Sequence, residues 1–269
     1  MKHSEKVSLK YPLVLVHGAG YRDKTLGLDY WARIPRWLVD HGVTVYYGNT
    51  DAWASIEQNG EFLKRTILEV LEKEKVEKVN IIGHSRGGLE GRYVISVLGM
   101  DCVVASLTTI STPHRGVKAM NLALRFPQQF YRFIAFLVNS LFRLIGDRKP
   151  DFLTSSRELS ERLARDFNCR CPDRPSVYYQ SYAAQMGSFF SDPQYFLTWP
   201  LVLWTDGVND GLCPVESAKW GIFRGVIRPH GFFGISHAGI IDAYRIRYKD
   251  IDIPKLYLNI VRDLAARGF

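Results

Sequence analysis

Val79-Asn80-Ile81-Ile82 runs directly into Gly83-His84-Ser85-Arg86-Gly87-Gly88, and from Leu89 onward the apolar residues fall at helical spacing. A β-type run, a glycine-rich turn and a helix in immediate succession form the setting in which G-x-S-x-G carries chemical meaning. The reason is steric. A serine at the apex of so sharp a turn takes up an unfavourable backbone conformation, and neighbouring chain passes close to it. Glycine two positions before and two after removes the Cβ atoms that would collide. The helix that follows aims its first amides at the serine, where negative charge on an oxygen would be stabilised. Ser85 is therefore the candidate nucleophile.

Outward from this turn, strands and helices alternate. Leu13-Val14-Leu15-Val16 is a short, wholly apolar run ending in His17-Gly18-Ala19-Gly20, which reads as a buried strand and a tight loop. Residues 43–47 form a second β-rich run. Between them, 30–40 has helical spacing, with Trp31, Ile34, Trp37 and Leu38 on one face. Over 56–71, Phe62, Leu63, Ile67, Val70 and Leu71 recur at three and four among charged residues, a clear amphipathic helix. Further strands are expected at 103–110, 177–183 and 225–227, and a closing helix at 254–267 that buries Leu256, Leu258, Ile260 and Leu264. Apolar strands alternating with helices predict an α/β fold with a mostly parallel central sheet covered on both faces. No linker, repeat or low-complexity tract divides the 269 residues, so 1–269 reads as a single domain.

The segment from about 117 to 170 breaks the rhythm. Its first half is rich in Phe and Leu, with Arg125, Arg132 and Arg143 interspersed, and reads as two helices joined near Pro127. They are either plain core helices or a mobile helical lid, and the composition favours the lid. Such a cover, apolar when open, suits a lipid-like substrate.

A serine hydroxyl is a weak nucleophile until a base accepts its proton. Of the seven histidines, His3 lies in the N-terminal tail and His41 in a surface-like turn. His17 and His84 flank the region where an oxyanion would sit, and His114 in Thr112-Pro113-His114-Arg115-Gly116 follows a strand end. These three are the candidates to line the substrate pocket. The chain order serine, acid, histidine leaves His237 and His230 as bases. His237, in Gly234-Ile235-Ser236-His237-Ala238-Gly239, is preferred. The acid that would orient it is Asp210, with Asp206 its near competitor, and either could instead serve turn chemistry.

Composition narrows the partners. Net charge is +8 and pI about 9.3, but Lys and Arg are spread along the chain without the clustering that nucleic-acid binding needs. Cys102, Cys169, Cys171 and Cys213 read as reduced thiols, and Cys169-Arg170-Cys171 lacks a second Cys/His pair at metal spacing. No n-region and apolar h-region open the sequence, so a cytoplasmic protein is expected unless a precursor was processed. The longest apolar stretch is too short for a membrane span.

Tyr11-Pro12-Leu13-Val14-Leu15-Val16-His17-Gly18, Gly83-His84-Ser85-Arg86-Gly87-Gly88, Thr112-Pro113-His114-Arg115-Gly116 and Asn209-Asp210-Gly211-Leu212 together resemble the bacterial triacylglycerol lipases and related esterases. The likeness is to the Pseudomonas/Burkholderia lipase group and its clostridial esterase relatives, close over about 11–116 and 205–240 and loose between. It implies the α/β-hydrolase fold, Asp210 as acid, His237 as base, and the backbone amides of Ala19 and Arg86 as the oxyanion hole. It also implies a lid over the middle segment that meets a lipid interface transiently, and a small-molecule or lipid ester as substrate. Two departures stand out. Secreted lipases of this group carry an acidic calcium ligand two residues after the catalytic histidine, where this sequence has Gly239. They also have a signal peptide and often a disulfide, and neither is evident. No cofactor is expected, and a calcium site of that kind is not; a lipase-like carboxylesterase is. An acyltransferase or thioesterase would use the same triad, whereas a non-catalytic lipid-binding protein would have no need of it.

Overall fold

The apolar run at 13–16 forms strand β1 (Leu13–Val16), and the two-residue period of a strand divides it between two cores. Leu13 and Leu15 pack with Trp31, Ile34, Leu38, Tyr257 and Val261 on one face of the sheet. Val14 and Val16 pack with Leu63, Ile67, Val94 and Ile95 on the other. A strand covered on both sides has no use for a polar residue, which is why this one reads as an unbroken apolar run. The computed structural model describes residues 6–25, 27–125 and 127–269.

After β1 come a short antiparallel hairpin, β2 (Lys24–Thr25) and β3 (Leu28–Asp29), then α1 (Ile34–Asp40), β4 (Val45–Tyr47) and α2 (Ile56–Glu74). Next are β5 (Val79–His84), α3 (Arg86–Ser96) and β6 (Val104–Ile110). Four helices follow: α4 (Lys118–Ala123), α5 (Gln128–Leu144), α6 (Phe152–Arg157) and α7 (Glu161–Arg170). The chain ends with β7 (Tyr178–Ala184), α8 (Thr198–Asp206), α9 (Val215–Ala218), β8 (Ile222–Ile227) and α10 (Ile253–Ala266). The main sheet has six strands in the order β4-β1-β5-β6-β7-β8, paired parallel throughout. Helices α1 and α10 cover one face, α2 and α3 the other.

From β1 the chain moves outward to β4, then returns to lay β5 on the opposite side of β1. The crevice beyond the carboxyl ends of β1 and β5 is thus a topological switch point, the place where open parallel sheets bind ligands. Ser85 stands at the end of β5 and the His17–Gly20 loop at the end of β1.

Two expectations are adjusted. The helix at 30–40 starts only at Ile34, with Pro35 in its first turn, because Tyr30 and Trp31 are drawn inward ahead of it. Trp37 is not in the core; it lies at the surface against His41, ring centroids 4.9 Å apart. The hairpin of β2 and β3 left no mark on the sequence reading. Pro127 does separate two helices, ending one residue before α5 begins. Among the described residues, α5 buries only Ala135 and leaves Phe130, Phe133, Phe136, Leu137, Leu141 and Leu144 exposed. No described helix is long and apolar enough to cross a membrane.

Candidate active site

Ser85 adopts φ 54° and ψ −128°, a left-handed-side conformation that side chains other than glycine rarely take. It is held there from several sides. The Ser85 amide donates to the Ile110 carbonyl at 2.9 Å. A Cβ on Gly83 would come within 2.6 Å of the Gly88 nitrogen, and one on Gly87 within 2.3 Å of the Val16 carbonyl oxygen. The glycines of the motif therefore let the start of α3 press against the end of β1. The same crowding acts on the facing loop, where a Cβ on Gly18 would meet Ser85 Cβ at 2.8 Å.

His237 comes to this edge on the loop after β8, and Asp210 on the turn after α8. His237 Nδ1 and Asp210 Oδ2 are 2.8 Å apart, and the His237 amide donates to the Asp210 carbonyl at 2.7 Å. The other carboxylate oxygen, Oδ1, accepts from the amides of Leu212 (3.1 Å) and Cys213 (2.7 Å). Asp210 is fully buried and His237 nearly so. The competitors are engaged elsewhere. Asp206 caps the start of α4 through the amides of Lys118 and Ala119, and His230 pairs with Asp250 at the surface. No hydrogen bond joins Ser85 to His237 among the described residues. His3 lies outside the described residues.

The Ala19 amide donates to nothing among the described residues, and the Arg86 amide, first in α3, has no partner within its helix. His17 Nδ1 lies 2.8 Å from the Gly18 carbonyl oxygen, while its Nε2 meets Thr50 Oγ1 at 2.9 Å. Since C=O and N–H of a trans peptide point in opposite directions, holding the Gly18 carbonyl turns the Ala19 amide away from His17. His84 is buried with its ring 4.4 Å from that of His237, and Tyr30 Oη bonds both His84 Nδ1 (2.6 Å) and the Gly18 amide (3.0 Å). Burial, and then the neighbouring His237, push the His84 imidazole well below its usual range. His114 is not brought to this group. It is wholly buried between Thr109, Arg92 and Trp220, so neither it nor the equally buried His17 and His84 faces open space.

A family model described as the alpha/beta hydrolase fold matches residues 11–215. The chain belongs to that family. Triacylglycerol lipase 2 of Saccharomyces cerevisiae is 29% identical over 268 residues, 91% of this chain and 76% of that protein. The triacylglycerol lipase of Burkholderia plantarii is 44% identical over 111 residues, 40% of this chain and 30% of its own length. The chain thus spans about a third of the bacterial relative. Staphylococcus hyicus lipase shares the fold with a TM-score of 0.74 over 100% of this chain and 98% of that one, at 19% identity.

Around its candidate site this α/β-hydrolase holds polar residues that no motif announces. The Arg86 side chain is fully buried: Nη1 donates to the Ala54 carbonyl (2.8 Å) and to Ser155 Oγ, Nη2 to the carbonyls of Asp51 (3.2 Å) and Ala52 (3.1 Å). Its Nε lies 3.0 Å from Glu90 Oε1, which also accepts from Asn59. Only the four-residue spacing of Arg86 and Glu90 on one helix face could have been read in the sequence. Tyr30 and Thr50 carried no signal at all. A calcium site of the secreted type does not fit this hydrolase. A Cβ on Gly239 would lie 2.4 Å from Tyr248 Oη, and Asp192 and Asp242 already receive protein donors.

Proposed function

We propose that this hydrolase cleaves carboxylic esters by two-step acyl transfer, with Ser85 as nucleophile, His237 as base and Asp210 as the acid that orients it. The observation that carries the reading is the buried Asp210–His237 pair on the sheet edge where Ser85 sits in its strained turn. With Nδ1 committed to Asp210, the proton from Ser85 passes to Nε2 as Oγ attacks the ester carbonyl. His237 then delivers that proton to the leaving alcohol, and water repeats the attack on the acyl-enzyme. The amides of Ala19 and Arg86 receive the oxyanion, each such donor lowering the barrier by roughly 3 kcal/mol. A neutral His84 beside His237 adds no like charge to oppose the imidazolium that forms. His17 acts on the Ala19 amide rather than on substrate.

The substrate class follows from the surface. Exposed Phe and Leu on α5, with Arg132 and Arg143 and no acidic residue, favour a lipid ester met at an interface, and the triacylglycerol lipase relatives support that choice. Helix α5 is the moving part of a lid within 117–170. Purified protein assayed on p-nitrophenyl esters of increasing acyl length is expected to hydrolyse them, to be labelled by a serine-reactive phosphonate, and to lose both properties in Ser85→Ala. Activity that survives Ser85→Ala would sink the assignment.

A further inference from the structure

The stretch that carries His237, from Gly234 to Tyr248, contains only a single turn of 3-10 helix and is tied to its surroundings by the backbone bonds of the Ile235 amide to Gln185 and the His237 amide to Asp210, and side chains add to these. Asp192 does so from outside the loop. It is almost fully buried; Oδ2 accepts from Ser236 Oγ at 2.6 Å and from Tyr244 Oη at 2.8 Å, and Oδ1 from the Gln194 amide at 3.0 Å. Ser236 Oγ in turn accepts from the Gly239 amide at 3.0 Å, which closes the turn around His237. Farther along, Asp242 takes Arg33 Nε at 2.7 Å and Nη2 at 2.6 Å.

We infer that this clamp, centred on Asp192, replaces a calcium ion and makes Asp192 a metal-independent positioning residue for His237. Calcium needs six to eight oxygen ligands at 2.3–2.6 Å. Asp192 is one carboxylate, and both of its oxygens are taken. Gly239 has no side chain to supply a second, and a Cβ there would have to displace Tyr248 Oη. Asp242 is neutralised by a two-pronged guanidinium contact. A cation taking Asp192 would displace Ser236, and with it the turn that holds His237. Burial, and then the bond to Asp192, push the Tyr244 phenol up, which keeps it a donor to that carboxylate.

The effect on turnover rests on His237 being the base; the absence of a metal requirement does not. The full chain is melted, and its turnover of a soluble p-nitrophenyl ester measured, as purified, after excess EDTA, and after calcium is added back. Neither midpoint nor kcat is expected to move. Activity lost to EDTA and restored by calcium, or a midpoint raised by calcium, would overturn the inference. In Asp192→Asn, kcat should fall roughly 10- to 100-fold with KM little changed, as expected for a displaced catalytic group, and calcium should not restore it. Tyr244→Phe, which keeps the carboxylate and removes one donor, should show a smaller fall of the same kind and serves if Asp192→Asn does not fold. Full kcat in the folded variants overturns the positioning role. Activity surviving Ser85→Ala would overturn the triad instead, while the melting comparison with EDTA and calcium still reads the clamp.

Discussion

The guanidinium of Arg86 reaches three parts of the chain while its amide is the proposed oxyanion donor. It donates to the carbonyls of Asp51, Ala52 and Ala54 and to the hydroxyl of Ser155, and forms an ion pair with Glu90, all without exposure to water. Removing one partner of a buried ion pair leaves an uncompensated charge, which costs about 3–5 kcal/mol. Arg86→Ala should therefore lower the unfolding free energy by that much, read from urea denaturation, and lower kcat as well, because the first turn of α3 loses its anchor. Arg86→Lys should rescue little, since an ammonium cannot reproduce the planar fork. A variant with wild-type stability would show that the side chain is not the strut its contacts suggest. Asp210 is the second residue to test. Asp210→Asn should keep the fold through the Leu212 and Cys213 contacts yet cut kcat by about 10⁴, the loss expected when the histidine is held in the wrong tautomer.

At the scale of elements, α5 departs from the rest of the molecule. A helix of 17 residues that buries one side chain among those described gains little from packing on its own domain. The residues just past its C-terminus are fastened: Asp147 accepts from the amides of Ala52 and Trp53 at 3.0 Å, and Arg148 Nε donates to Asp51 at 2.9 Å. A helix tethered at that end and apolar on its outer face suits a cover whose exposed side finds its partner in lipid. Phe133→Ser with Phe136→Ser should leave hydrolysis of a soluble short-chain ester unchanged and slow hydrolysis of an emulsified triglyceride several-fold. Equal losses on both substrates would count against a lid and for a plain structural helix.

Across the whole molecule, buried titratable groups set opposing responses to pH. Burial pushes the Glu158 carboxyl from 4.5 up to about 7, against the pull of Arg86, while its oxygens accept the Ile56 amide at the start of α2. Between about pH 4.5 and 7 the folded state keeps a proton that the unfolded chain has lost, so this group's stabilisation declines as pH rises. His84 and His114 act in the other direction. Burial holds both imidazoles well below 6.5, so below that pH the unfolded chain binds protons the fold refuses, and stability falls on acidification. The Glu158 contribution is isolated by comparison with Glu158→Gln. The variant should gain in urea midpoint relative to wild type as pH rises from 4.5 to above 7, and a difference that stays flat with pH would refute the assignment.

Much of this was legible in one dimension. Periodicity and the apolar runs determined the strands, the helices on both faces and the turn at Ser85, because burial and backbone sterics act over a few residues and leave local patterns. The candidate triad was legible too, though as preferences: Asp206 and His230 stood beside Asp210 and His237 until the loops after α8 and β8 met. Only the tertiary structure decided what depends on contacts between distant segments. It placed His114 against Trp220 and away from Ser85, tied Tyr30 to Gly18 and His84, and set Asp192 under the His237 loop, 44 residues from its hydrogen-bond partner Ser236. Such pairings follow from how the chain crosses itself, and no spacing along it records them. At Gly239 the two accounts meet. The sequence showed that an acid was missing, and the fold shows what stands in its place, a tyrosine hydroxyl where a side chain would go.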